Sequence, residues 1–328
     1  MFSQTAENMQ RLTCPTCGNE VFFDSMQCVV CETVLAIDVN VDGSLTLGDA
    51  AKVGSCLMRD WWQCNWRPQT NEICANCLIV DAGEHANNTL LIPFLAAQRR
   101  ALAQLSLLGI DWTVHNGEGP IGPPLVFTYR STEAGDAATI GHLDGLITLD
   151  LDEANPAQLE QIRTTLGELY RTPLGHIRHE LGHYVWQRMV ANDPARLTEF
   201  REVFGDETVN YSEALEAHYA RGDDGSWRKD HVSFYAAAHP WEDYAESWAQ
   251  VMHVHDVVST GLAWGVVNLP QALFEPARWM STAVLATLAA NELARAMGMH
   301  DLYPFALSPG ARRKVEVAWR LTRRNGSA

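Results

Sequence analysis

No run of about 18 apolar residues occurs anywhere in the 328-residue sequence, which excludes a membrane-spanning helix. Basic charge is scarce as well: 24 Lys+Arg stand against 40 Asp+Glu, a formal net charge of -16. Gripping a phosphate backbone needs a basic footprint, so nucleic-acid binding is disfavoured, while a basic peptide is still an acceptable substrate. The opening stretch Met1–Gln10 lacks the apolar core of a signal peptide, and a cytoplasmic location is expected. Cysteine is absent beyond Cys77; all eight lie between Cys14 and Cys77. Such clustering in a chain without an export signal favours metal ligation over disulfides. Internal repeats and low-complexity tracts are also lacking.

What is present is ordinary for a globular protein, 47% apolar and 20% charged. The length suits one large domain and one small one. We expect a zinc-ribbon module over residues 1–82 and a metallopeptidase-type domain over 83–328. Cys14-Pro-Thr-Cys17-Gly18 and Cys28-Val-Val-Cys31 form two C-x-x-C knuckles suited to a tetrahedral four-cysteine zinc, with Gly18 allowing the turn. Val21-Phe22-Phe23 between them reads as a short strand. Cys56, Cys64, Cys74 and Cys77 form a second quartet, read as a second structural zinc, although only Cys74 and Cys77 make a C-x-x-C. Four free thiols are the alternative. Trp61, Trp62 and Trp66 are expected to pack around that metal or against the larger domain.

Further on, Leu91 to Leu108 reads as a helix with Leu91, Leu95, Leu102 and Leu105 on one side and Gly109 at its end. A loop dense in Gly and Pro follows, from Asn116 to Pro124. Leu125–Tyr129 and Leu146–Leu151 are strand candidates. Asn155-Pro156 opens an amphipathic helix with Leu159, Ile162, Leu166 and Leu169. Beyond residue 190 the spacing predicts helices over Ala195–Phe204, Ser212–Ala220, Pro240 to about His255, Leu273–Met297 and Pro309–Arg323. The last carries Arg312, Arg313, Lys314, Arg320, Arg323 and Arg324, and reads as a solvated basic helix.

The centre of the chain is Gly175-His-Ile-Arg-His-Glu-Leu-Gly-His183, which contains H-E-x-x-H as His179, Glu180 and His183. On a helix the two histidines lie one turn apart on one face and can share a zinc ion. Glu180, about 100° round from His179, is placed to take a proton from water at that metal. Thr172 is the expected cap and Pro173 fits the first helical position; Leu174, Ile177, Leu181 and Val185 make the apolar face. His176, one turn earlier on the histidine face, is a candidate for contact with substrate or with a ligand.

A catalytic zinc takes three protein ligands and keeps one open position. A third histidine six residues after His183 is ruled out, because that position is Met189. Two glutamates remain. Glu202 has Asp206 four residues later, but Gly205 suggests a helix end between them. Glu242 has Glu246 one turn on in a Pro-started helix, so Glu242 can ligate while Glu246 orients a ligand imidazole. Glu242 is the preferred third ligand. His253 and His255 read as surface residues.

The two long motifs, Arg171 to Tyr184 and His239-Pro-Trp-Glu-Asp-Tyr-Ala-Glu246, resemble a bacterial family of zinc-binding metallopeptidases with an N-terminal zinc ribbon. Gly141-His142-Leu-Asp144-Gly-Leu-Ile147, Asp301-Leu-Tyr-Pro-Phe305 and Cys64-Asn-Trp66 are similar to family segments too. The second motif also resembles the ligand helix of anthrax lethal factor, a gluzincin with an assisting tyrosine seven residues before the glutamate. That resemblance implies a catalytic role for Tyr235. His142 and Asp144 precede the strand at Leu146, which in zincins can accept an extended substrate as an added strand. The expectation is therefore an α+β fold, zincin-like and mainly helical, behind a small double zinc-ribbon module. Its function would be zinc-dependent peptide hydrolysis, with one catalytic and two structural zinc ions. The module would be structural or dock a protein partner. The rival is an adaptor whose ribbons bind proteins and whose zincin-like domain is catalytically idle.

Overall fold

The computed structural model describes residues 11–40, 43–69, 72–112, 124–131, 135, 140–156, 172–267, 276–303 and 305–323. The protein is mixed α+β, with small cysteine-centred modules first and a mainly helical remainder. It packs as two compact units, Met1–Ile177 with Leu262–Gly265, and Arg178–Gly261 with Val266–Ala328. Residue 82, where the sequence suggests a boundary, lies inside the first unit.

In that first unit, strands β1 (Leu12–Thr13) and β2 (Glu20–Val21) pair antiparallel. The Cys14–Cys17 knuckle sits between them and closes through Gly18, whose N–H reaches the Cys14 carbonyl at 2.9 Å with φ at 75°. Glu32, at φ 59°, closes the second knuckle in the same way onto Cys28. The strand expected over Val21–Phe23 therefore ends at Val21, and Phe22 is 74% exposed. A second hairpin, β3 (Leu35–Val39) with β4 (Leu45–Asp49), was not legible in the sequence. Its buried Leu35, Ala36 and Ile37 give this cysteine-rich part a core.

Trp62 and Trp66 are buried as expected; Trp62 donates to the Ala86 carbonyl at 3.0 Å, and Trp66 packs on Trp112. Trp61 departs from the expectation, at 65% exposed. It shares a one-turn helix, Arg59–Trp62, with Trp62, and adjacent positions on a helix face different ways.

Four strands make the larger sheet: β5 (Val80–Asp81), β6 (Val126–Arg130), β7 (Gly141–Leu143) and β8 (Leu146–Asp150), in the order β5-β6-β8-β7. Only the β7–β8 pair is antiparallel. Helix α1 (Leu91–Leu107) buries all four of the predicted leucines. Tyr129 of β6 donates to Gln98 of α1 at 2.6 Å, and Gln98 donates to Asn76 beside Cys77 at 3.0 Å. That buried relay ties the second cysteine quartet to helix and sheet.

The hairpin corrects one expectation. Asp144 and Gly145 both have positive φ, 47° and 85°, as a two-residue turn between right-twisted strands requires. His142 Nε2 accepts the Gly145 N–H at 3.1 Å, so His142 serves this turn. Residues Leu146–Thr148 already have a strand on each side, and an added strand has no free edge there. The Asn155-Pro156 helix with Leu159, Ile162, Leu166 and Leu169 lies outside the described residues beyond Pro156; so do Arg171, Leu273, Pro304, Arg324 and most of Asn116–Pro124.

Helix α2 (Pro173–Met189) starts in the first unit and continues into the second. The Thr172 hydroxyl accepts the Gly175 N–H at 2.9 Å, so the expected cap is in place. The second unit adds α3 (Pro194–Phe204), α4 (Tyr211–Arg221), α5 (Pro240–Ala263), α6 (Pro276–Ala296) and α7 (Pro309–Thr322). Asp193 caps α3 and Ser308 caps α7, each followed by proline.

Two expectations fail here. Helix α5 runs past His255 to Ala263, and its C-terminal half is buried. His253 and His255 are therefore interior: His253 Nδ1 lies 2.6 Å from the Arg178 guanidinium, which also holds Asp256 at 2.5 Å. Helix α7 is not fully solvated. Ala311, Val315, Ala318 and Leu321 form a buried face, and Lys314 on it pairs with the buried Asp243 at 2.6 Å. Burial pushes the Asp243 carboxyl up to about 7 against the pull of Lys314. No described helix is long and apolar enough to cross a membrane.

Candidate metal centre

The centre is made by α2 crossing α5 at very close range. A Cβ on Gly182 would lie 2.9 Å from the Ala245 Cα and 3.0 Å from its carbonyl oxygen. Only glycine lets the two backbones meet there, and the side chains flanking the contact are thereby brought together. They are His179 and His183 from α2, and Glu242 and Glu246 from α5. Gly182→Ala is expected to force the helices apart, costing roughly 1–3 kcal/mol as overpacked cores do. It should also weaken zinc binding about tenfold in a chelator competition; an unchanged zinc affinity and melting temperature would show that the close crossing is not needed.

Three ligand-type atoms converge. His179 Nε2 lies 3.0 Å from Glu242 Oε2 and 3.2 Å from His183 Nε2, and His183 Nε2 lies 3.3 Å from the same carboxylate oxygen. Atoms about 2.0–2.1 Å from one zinc in a tetrahedron stand roughly 3.3 Å apart, so the spacing suits a single ion. With a metal bound, His179 would donate from Nδ1 to Glu246 Oε1, 2.7 Å away, and keep Nε2 for the ion. The residues fit the metal that the motif implies.

Each of these side chains is held from behind. Glu246 Oε2 accepts the Ser233 hydroxyl at 2.7 Å. Tyr211 donates to Glu242 Oε1 at 2.8 Å, which leaves Oε2 to face the histidines. Trp241 packs on His183, ring centroids 4.0 Å apart. Burial alone would raise the Glu242 carboxyl, but the His183 charge and the hydrogen bonds from His179 and His183 hold it well below the usual range. It is a carboxylate, the ligating form.

Glu180 is 5% exposed in the next position of α2. Its charge acts on two phenols, Tyr235 and Tyr211, whose hydroxyls are 3.4 Å apart. Burial first, and the Glu242 charge next, push both phenols well up. Both therefore stay protonated at neutral pH and can donate. Glu202, the other candidate ligand, is exposed on α3 and is not among the converging atoms. His176, in the first turn of α2, places Nδ1 2.8 Å from Glu153. Sequence spacing gave no signal for Tyr211 or Ser233, since each reaches the site through tertiary packing, whereas Trp241 adjoins Glu242 in the motif itself.

The cysteines form two further groups. In the first, Cys14 and Cys31 lie 3.6 Å apart, as do Cys17 and Cys28; in the second, Cys64 and Cys74 lie 3.5 Å apart, with Cys56 and Cys77 completing it. A disulfide would bring sulfurs to about 2.05 Å, whereas four thiolates on one zinc stand roughly 3.8 Å apart. None of the eight is in a disulfide. The second group is wholly buried, while Cys17 of the first is exposed.

Uncharacterized proteins of Mycobacterium bovis and Mycobacterium tuberculosis are 32% identical to the chain over 325 residues, covering 94% of it and 93% of their own length. No solved structure matches. A family model described as "Putative zinc-binding metallo-peptidase" matches residues 92–321, from the start of α1 to the end of α7. The match takes in all three converging residues, His179, His183 and Glu242, and the chain belongs to this family of zinc-binding metallopeptidases.

Proposed function

We propose that the protein is a cytoplasmic zinc peptidase of gluzincin type, with Glu180 as general base. The observation that carries this reading is the convergence of His179, His183 and Glu242 beside a buried Glu180. A zinc ion held by those three residues supplies Lewis acidity to the scissile carbonyl and makes water acidic enough to lose a proton near neutral pH. Glu180 takes that proton and returns it to the departing amine. Tyr235, protonated and next to the ligands, donates a hydrogen bond to the oxyanion that develops on the carbonyl. Glu246, anchored by Ser233, fixes the tautomer and orientation of His179.

In this reading the cysteine quartets hold two structural zinc ions, and cysteine ligation suits a reducing compartment. Phe22, Val29 and Val30 around the first quartet are 74%, 89% and 65% exposed, which favours a protein-docking role for that module. The test is hydrolysis of casein by the intact protein with and without a zinc chelator. Cleavage that stops with chelator and returns with zinc supports the reading. No cleavage by zinc-replete protein sinks it and leaves the adaptor reading, in which the module binds partners and the α2–α5 centre is idle.

A further inference from the structure

We propose that a small pocket beside the metal centre receives one apolar side chain of the peptide, of leucine to phenylalanine size, and so sets where the chain cuts. The proposal rests on the peptidase reading and adds its substrate class. The pocket, about 170 Å3, is walled by Trp186, Tyr211 and Trp241, with Glu207 and His239 completing it. It shares two walls with the centre. Trp241 is the ring that packs on His183, and it stands 6.3 Å from Trp186 and 6.4 Å from Tyr211 between ring centroids. Tyr211 turns its ring to the pocket while its hydroxyl holds Glu242. A side chain seated there lies one residue's reach from the ligand atoms.

The ionisable groups of the lining are already engaged. Glu207 takes both of its carboxylate hydrogen bonds from Arg201, at 2.9 and 2.5 Å, so its charge is balanced. His239 accepts the backbone N–H of Trp241 on Nδ1 at 3.1 Å and donates from Nε2 to the Val209 carbonyl at 3.0 Å. That tautomer is neutral and has both nitrogens used. A lysine or aspartate entering would give up water for aromatic faces and find no unbalanced charge to meet it; an apolar side chain loses nothing by the exchange.

The experiment uses a peptide that the full-length zinc-loaded protein cleaves, with the residues on either side of the cut replaced in turn by Gly, Leu, Phe, Trp, Lys or Asp. At one position Leu and Phe should exceed Gly, Lys and Asp by tenfold or more in kcat/KM, the discrimination that an apolar pocket gives. Trp186→Ala, which removes a wall, should shift the ranking at that position towards Trp, a gain that mere loss of stability cannot produce. Its zinc content and melting temperature are checked because Trp186 also packs on Phe200. Binding of the same peptides to zinc-loaded Glu180→Gln, followed by tryptophan fluorescence, separates the two readings. Ranked binding without any cleavage by wild type would sink the peptidase reading and leave the pocket. Cleavage or binding that ignores these side chains, a preference for Lys or Asp, or no binding at all overturns the pocket.

Discussion

Glu180→Gln is expected to keep its full zinc content and to lose two to four orders of magnitude in peptide hydrolysis, the range that a positioned general base contributes. The substitution preserves size and removes only the ability to take a proton. Glu180 is outside the group of converging ligand atoms, so metal retention should be unaffected. The variant and wild type would be compared by elemental analysis and by cleavage of one labelled peptide. Activity within threefold of wild type would dismiss Glu180 from the chemistry. Loss of zinc together with activity would instead place Glu180 among the ligands, against the geometry of the site.

The second large effect concerns metal count. Wild type should carry three zinc ions per chain, Glu242→Ala two, and Glu202→Ala three. Removing Glu242 deletes one of three ligands and leaves two imidazoles and a Tyr211 hydroxyl without its acceptor. A two-histidine remnant holds zinc too weakly to survive dialysis, because structural retention needs a nearly complete ligand set. Glu202 is exposed and its loss should leave the count unchanged. Two zinc ions in wild type, unchanged by His179→Ala, would mean that the α2–α5 centre binds none.

The legible parts of this protein were those encoded at short range. His179, Glu180 and His183 are recognisable because one helical turn separates the ligands, and the same period makes Glu242 and Glu246 readable as a pair. The cysteine knuckles are read from C-x-x-C spacing, and α1 from its leucine stripe. The β3–β4 hairpin was missed because its strands alternate weakly and lie between two metal segments. His253 and His255 were misjudged because polarity suggests exposure, while burial here depends on partners distant in the chain, Arg178 beside His253 and Trp319 beside His255. Lys314 was misjudged for the same reason, its partner Asp243 being 71 residues away. Trp186, Tyr211 and Trp241 carry no joint signature at all, since three separate segments bring them to one pocket.

The close crossing at Gly182 has a thermodynamic consequence. His179 and His183 are neighbours in the chain, but Glu242 lies 59 positions beyond His183 (242 minus 183), so the third donor arrives only when α5 docks on α2. Until that loop closes, an unfolded or partly folded chain offers zinc only a local histidine pair. A zinc ion held by these three donors would therefore discriminate between native and unravelled forms, and its binding energy would be added to the cohesion of this unit in proportion to that discrimination. On that reading free zinc concentration is a variable of state for the fold, and the melting temperature of the α2–α5 region is expected to climb with the logarithm of zinc activity.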